Sequence, residues 1–129
     1  MFVMDVHTPR VLQWVPQLAR PLILSAWTIT EFSSALALRR RMNALSAMDR
    51  LAAESAFDTW LSSNEIVQVD VGPRDFASAR QLMRLDTVPL RAADALHLAI
   101  AMKLGIAMAT LDDDLQTASR TVGLAVSSL

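Results

Sequence analysis

The chain has 129 residues, of which 53% are hydrophobic, so it is long enough and apolar enough to bury a sizeable core. Its formal net charge of −1 excludes a protein that binds nucleic acid through a large positive field. A nuclease stays compatible with this charge, because a bound metal ion would offset clustered acids. Cysteine is absent, which excludes disulfides and thiolate metal sites and fits a reducing cytoplasm.

We expect a single domain over residues 1–129, because no repeat, low-complexity segment or long linker divides the chain. The longest apolar segment, Ala95–Leu111, contains His97, Lys103 and Gly105, and it is shorter than the roughly 20 residues of a membrane-spanning helix. The first residues, MFVMD, show neither a basic leader nor a cleavage pattern. The sequence therefore predicts a cytoplasmic protein with no membrane segment and no signal peptide.

Apolar spacing and helix-end signals predict helices that alternate with short strands. The first helix is Thr8–Ala19, with Pro9 near its first position and a break or kink at Pro16. The other predicted helices are Thr28–Met42, Ser46–Leu61, Arg74–Leu85, Arg91–Leu104, which Gly105 ends, and Asp113–Val122. The predicted strands are Leu22–Ser25, Ile66–Val71, Ile106–Leu111 and Leu124–Ser127. This alternation predicts an α/β fold, in which helices cover both faces of a parallel sheet.

Three acidic residues lie where such a sheet binds ligands, beyond the carboxyl ends of its strands. Glu31 follows the strand Leu22–Ser25 by one turn of helix, and Asp112 directly follows the strand Ile106–Leu111. Asp94 lies in the first turn of a helix that begins after a loop. All three carboxylates can face one crevice, which is the arrangement that a divalent cation with oxygen ligands needs.

Each acid also has a purely structural interpretation. Thr28 and Glu31 fit the capping box S/T-x-x-E, in which the glutamate only bonds the N-cap amide. Asp94 complements a helix dipole, an effect of roughly 0.3–1 kcal/mol. The run Asp112–Asp114 forms a turn followed by a helix cap. The metal interpretation rests on the conjunction of several acids at helix starts, two of which come just after strands.

Other polar and aromatic groups have the same two kinds of interpretation. His97 lies three residues after Asp94, where it either binds a transition metal or, as is commoner, makes one hydrogen bond while partly buried. Arg39–Arg41 either meet RNA phosphates or form a solvated helix end that complements the dipole. The three tryptophans are expected in the core or at an interface, with a groove as the alternative for Trp27.

Three segments occur in an order that matches a known family. They are Ser25–Phe32 (SAWTITEF), Arg91–Ala99 (RAADALHLA) and Ala109–Leu115 (ATLDDDL). On these residues the chain resembles PIN-domain proteins, specifically the VapC-type toxins of bacterial toxin–antitoxin pairs. The block R-A-x-D-A-L-H-L-A followed by T-x-D is fairly specific, whereas the segment around Glu31 is weak by itself. The match runs from about His7 to the C-terminus.

The resemblance implies a PIN-like three-layer α/β/α sandwich with a central parallel sheet. It implies an endoribonuclease that depends on Mg²⁺ or Mn²⁺, and it assigns the catalytic and metal-binding roles to Glu31, Asp94 and Asp112. One or two cations held by these carboxylates would lower the pKa of a water and orient it for attack on an RNA phosphodiester. The resemblance also implies a cognate antitoxin as the protein partner, and a homodimer.

The N-terminus departs from the family pattern. The family opens with an apolar strand that ends in Asp followed by Thr or Ser, whereas this chain reads MDVHTP over residues 4–9. Only 26 positions (31 − 5) separate Asp5 from Glu31, too few for a strand, two helices and a second strand. We therefore expect the first strand and its Asp to be missing, through a misassigned start codon or a truncated gene. Loss of a central strand would leave buried amides unpaired, and Asp5 is the alternative source of the missing ligand.

The sequence leaves three functional hypotheses. The leading one is a metal-dependent ribonuclease that is the toxic member of a toxin–antitoxin pair. The second is a catalytically incomplete PIN-like module that still binds an antitoxin. The third is an unrelated small α/β domain whose acids are only helix caps. RNA specificity depends on groove shape and RNA structure, so the sequence predicts no particular target.

Overall fold

The computed structural model describes residues 22–85, 87, 89–110 and 112–127. Its elements, in chain order, are β1 Leu22–Ser25, α1 Ala26–Arg41, α2 Ala47–Leu61, β2 Ile66–Val69, α3 Pro73–Met83, α4 Ala92–Leu104, β3 Met108–Ala109, α5 Asp113–Thr121 and β4 Val126–Ser127. The predicted alternation of strands with helices is confirmed. The expected helix Thr8–Ala19, Asp5 and the question of a missing first strand lie outside the described residues.

The strands pair in parallel, as the sequence predicts. β1 pairs with β2, and Ser25 at the end of β1 lies opposite Val69 at the end of β2. β3 pairs with β4, and Met108 lies opposite Val126. Within the described residues these two pairs form separate ladders. Because the pairing is parallel, the carboxyl ends of β1 and β2 share one edge, and α1 begins there.

Two apolar clusters hold the helices against these strands. The first cluster joins β1 and β2 to α1 and α2 through Leu22, Leu24, Phe32, Phe57 and Ile66. In it the rings of Phe32 and Phe57 stack with their centroids 3.8 Å apart, which fixes α1 against α2. Trp60 lies beside this stack, with its ring centroid 6.0 Å from that of Phe57.

The second cluster surrounds α4, whose side chains are buried at every position from Ala95 to Ala101. A helix that is apolar nearly all round packs in the interior, here against residues of α3, β3 and α5, among them Leu82, Met108 and Leu115. No helix in the described ranges combines the length and apolar character needed to cross a membrane. In this buried run of α4, His97 is a polar side chain among apolar ones.

The start of α1 corrects one structural interpretation of Glu31. The N-cap is Ser25, whose side chain accepts a hydrogen bond from the Thr28 amide at 3.1 Å, and the helix begins at Ala26 rather than Thr28. Thr28 therefore lies inside the first turn, so Thr28 and Glu31 do not form a capping box. The predicted end of α4 is confirmed, because this helix stops at Gly105, which has a φ of 64°.

An ion pair between buried Asp75 and the exposed side chain of Lys103 connects α3 to α4. Asp75 is 3% exposed, and its carboxylate accepts hydrogen bonds from the Gly72 amide at 2.8 Å and from Lys103 Nζ at 3.0 Å. The Gly72 N–H, followed by Lys103, lowers the pKa of the Asp75 carboxyl, against the opposing effect of burial. This contact fixes the start of α3 against the end of α4.

Candidate active site

Glu31 lies in the middle of α1 and contacts α4. Its Oε2 is 2.5 Å from Nε2 of His97, a residue 66 positions further along the chain. The Glu31 side chain is about one third exposed, at 32%, whereas the His97 side chain is 6% exposed. The pair therefore bridges from solvent into the core and joins the carboxyl end of β1, through α1, to the buried helix α4.

Asp94 lies in the first turn of α4, three residues before His97. Its Oδ2 accepts a hydrogen bond from the Arg91 amide at 3.2 Å, so the structural interpretation of this acid as a helix-start residue is correct. Residues three apart share a helix face. Glu31 therefore contacts α4 at His97, one helical turn along the chain from Asp94.

Asp112 is held by the turn that connects β3 to α5. Its Oδ1 accepts a hydrogen bond from the Leu115 amide at 2.9 Å, which makes it the N-cap of α5. Its own amide donates to Oγ1 of the buried Thr110 at 3.1 Å. Gln116 Nε2 donates to the Thr110 carbonyl at 2.9 Å, so the T-x-D segment is fixed from both sides.

These bonds use only one oxygen of each carboxylate. Glu31 is held through Oε2, Asp94 through Oδ2 and Asp112 through Oδ1. The second oxygen of each receives no hydrogen bond from the described residues. Capping and cation binding are therefore compatible in the same side chain, and three carboxylate oxygens are the donor type that suits Mg²⁺ or Mn²⁺.

The three acids do not form a closed cluster. In the part of the chain that the structure describes, no group of three metal-ligating side chains lies close enough to hold an ion. Glu31 is brought to His97, whereas Asp94 and Asp112 make their described hydrogen bonds with the backbone of their own turns.

The contact between His97 and Glu31 is the feature that the sequence does not reveal. The D-x-x-H spacing places His97 on the face of Asp94, but it gives no sign of a partner on α1. The other ring nitrogen, Nδ1, is buried and has no hydrogen-bond partner in the described part of the chain, and the same is true of Nε1 of Trp27, one turn before Glu31. Arg39–Arg41 are exposed at the end of α1.

A PIN-domain family model matches residues 3–120, which include all three acids. This chain belongs to the PIN-domain family, whose members are nucleases. The predicted resemblance and the PIN-like α/β/α sandwich are confirmed by this match. The comparison with curated proteins gives no match.

Solved structures share the fold at low sequence identity. A FitAB complex bound to an IR36 DNA fragment is 20% identical, covers 99% of this chain and 94% of its own, and gives a TM-score of 0.69. FitAcB from Neisseria gonorrhoeae is 21% identical, with coverages of 98% and 96% and a TM-score of 0.62. VapC20 from Mycobacterium tuberculosis, a sarcin–ricin loop cleaving toxin, is 16% identical, with 98% coverage of both chains and a TM-score of 0.68.

Proposed function

We propose that this protein is a metal-dependent endoribonuclease that acts as the toxin of a type II toxin–antitoxin pair. One observation carries the proposal: Glu31 is held against α4, the helix whose first turn carries Asp94, and each of the two carboxylates keeps an oxygen that the described residues leave unpartnered. The family supplies nuclease activity, and the toxin VapC20, which cleaves the sarcin–ricin loop, supports the choice of RNA as substrate.

The proposed site uses Glu31, Asp94 and Asp112 to hold Mg²⁺ or Mn²⁺ through oxygen. A cation bound there would lower the pKa of a water and stabilise the charge that develops on the phosphate. The chain itself orients the groups: the Arg91 and Leu115 amides each fix one oxygen of an aspartate. In the hydrolysis, the water loses a proton to solvent as its oxygen bonds to phosphorus, the bond from phosphorus to the leaving ribose oxygen breaks, and the leaving oxygen takes up a proton from solvent, so that one water is added across the bond.

Cleavage of RNA by the purified chain, with Mn²⁺ or with a chelator, tests this function. We expect Asp94→Asn to lower metal-dependent cleavage by more than about 100-fold, because loss of a direct ligand exceeds the loss of a group that only supports one. The asparagine keeps an oxygen for the Arg91 amide, so the variant should fold. Asp114→Asn removes a neighbouring exposed acid and serves as the control. Equal, chelator-resistant cleavage by all three proteins would contradict the metal mechanism.

The proposed toxin has two protein partners, which are a cognate antitoxin and a second copy of the chain in a homodimer. Its proposed location is the cytoplasm. The solved FitAB and FitAcB structures share the fold with this chain and support the choice of partner. Analytical ultracentrifugation of the protein alone measures self-association. Co-purification with the product of a short neighbouring reading frame tests the antitoxin.

A second candidate function is a PIN-like module that binds an antitoxin without catalysis. It is favoured by the lack of a three-ligand cluster among residues 22–85, 87, 89–110 and 112–127. Isothermal titration with Mn²⁺ separates the two functions. Binding that Asp94→Asn abolishes supports the nuclease, whereas antitoxin binding without Mn²⁺ binding or RNA cleavage supports the module.

A further inference from the structure

The burial of His97 calls for an explanation beyond packing. From Ala95 to Ala101 every residue of α4 is buried, and His97 is the one polar side chain in that run. Its buried Nδ1 has no hydrogen-bond partner among the described residues, and a buried polar atom without one is destabilising. An apolar residue would fill the same position without that cost. The histidine is therefore unfavourable for packing, and its useful contact is the one with Glu31.

Glu31 needs a side chain to hold it, unlike the two aspartates. Asp94 and Asp112 lie at helix starts, where backbone amides are available to bind one carboxylate oxygen. Glu31 is the sixth residue of α1, where every backbone amide is already used within the helix. Its long side chain has several rotatable bonds, so its carboxylate is fixed only if another side chain donates to it.

His97 supplies that donor. An ionised carboxylate only accepts hydrogen bonds, so the proton in the contact is carried by Nε2 of the imidazole. Charge-assisted hydrogen bonds of this kind are short and strongly directional. Since the His97 ring is buried in the core, it holds Oε2 of Glu31 at a fixed place, and Oε1 receives no hydrogen bond from the described residues.

We propose that His97 is a positioning residue, which holds Oε2 of Glu31 so that Oε1 is available to a divalent cation. This inference rests on the proposed metal site, and it gives His97 no direct contact with the cation. It goes beyond the three acids, because it predicts that a buried residue sets the affinity of the site for metal.

Isothermal titration of the full chain with Mn²⁺ tests the inference. We expect His97→Leu to weaken Mn²⁺ binding by about 10–100-fold, the usual effect of losing a group that orients a ligand. His97→Gln, whose amide places a donor near the position of Nε2, should restore affinity to within a few-fold of wild type. Thermal unfolding without metal checks that both variants fold, and Ser119→Ala, which removes a buried hydroxyl of α5, is the control.

A double-mutant cycle separates positioning from a general packing effect. If His97 acts through Glu31, then His97→Leu should change Mn²⁺ affinity little once Glu31→Gln is present. Equal losses in both backgrounds would overturn the inference, as would wild-type affinity in His97→Leu or no recovery in His97→Gln. A wild-type protein that binds no Mn²⁺ would overturn the metal site as well. Normal binding that depends on Asp94 but not on His97 would overturn only the present inference.

Discussion

Asp112 caps α5 with one carboxylate oxygen, and its other oxygen receives no hydrogen bond from the described residues. We therefore predict that substitutions at this residue can separate protein stability from metal binding. Asp112→Ala removes the acceptor of the Leu115 amide and should destabilise the protein by about 1 kcal/mol, the usual effect of losing an N-cap. For a chain of this length that corresponds to a fall in Tm of about 3–5 °C. Asp112→Asn keeps a capping oxygen, and the charge that it removes relieves repulsion within Asp112–Asp114. Its Tm should therefore stay within about 1–2 °C of wild type.

Metal binding should respond differently to the same pair of variants. We expect both Asp112→Ala and Asp112→Asn to weaken Mn²⁺ binding in isothermal titration, because each removes a carboxylate ligand. Ser46→Ala is the matched control, since Ser46 caps α2 by accepting from the Asp49 amide at 3.0 Å. It should lower Tm about as much as Asp112→Ala without changing Mn²⁺ affinity. Wild-type Mn²⁺ affinity in Asp112→Asn would refute the ligand role and leave Asp112 as a cap alone.

Three further substitutions test the fold that positions the site. Phe57→Ala removes a side chain that is 5% exposed and stacked on the facing phenylalanine of α1, so urea unfolding should show a loss of about 3–5 kcal/mol. Asp75→Asn should lower Tm at pH 5–8, because the Gly72 amide and Lys103 favour the ionised carboxylate and lower its pKa. Since a lowered pKa gives stability that is lost as the carboxylate is protonated, the difference in Tm should shrink below about pH 4, and a constant difference would contradict this account. Gly105→Ala places a Cβ at a φ of 64° with no atom within 4 Å of it, so only backbone strain of about 1–2 kcal/mol is expected in thermal unfolding.

Much of the fold follows from local signals in the sequence. Gly105 ends α4 as predicted, because only a residue without a Cβ adopts its left-handed conformation at no cost. Strand ends were less predictable: β3 is Met108–Ala109 rather than the longer Ile106–Leu111, of which Leu111 lies outside the described residues. Apolar runs do not mark strand ends, because ladder hydrogen bonds to a partner strand decide them.

The surroundings of the two aspartates follow from the sequence, whereas the contact made by Glu31 does not. Asp94 and Asp112 lie at helix starts, where position in the sequence fixes their surroundings within four residues. The alternative of a capping box at Glu31 was wrong, because Ser25 competes for the same role and lies at the strand end. The partner of Glu31 is 66 residues away, and no local pattern in a single sequence specifies such a contact.

The way in which each carboxylate is held gives the proposed site an uneven sensitivity to substitution. Asp94 and Asp112 are oriented by the backbone amides of Arg91 and Leu115, and changing those side chains leaves the amides in place. Glu31 is oriented by the side chain of His97 alone among the described residues. Substitution of His97, which is not one of the three acids, can therefore leave the Glu31 carboxylate in the site but no longer held in place. In the proposed site α4 thus supplies Asp94 and, through His97, also orients the carboxylate of Glu31. The same turn of α4 therefore contributes both to the buried core and to the geometry of the proposed site.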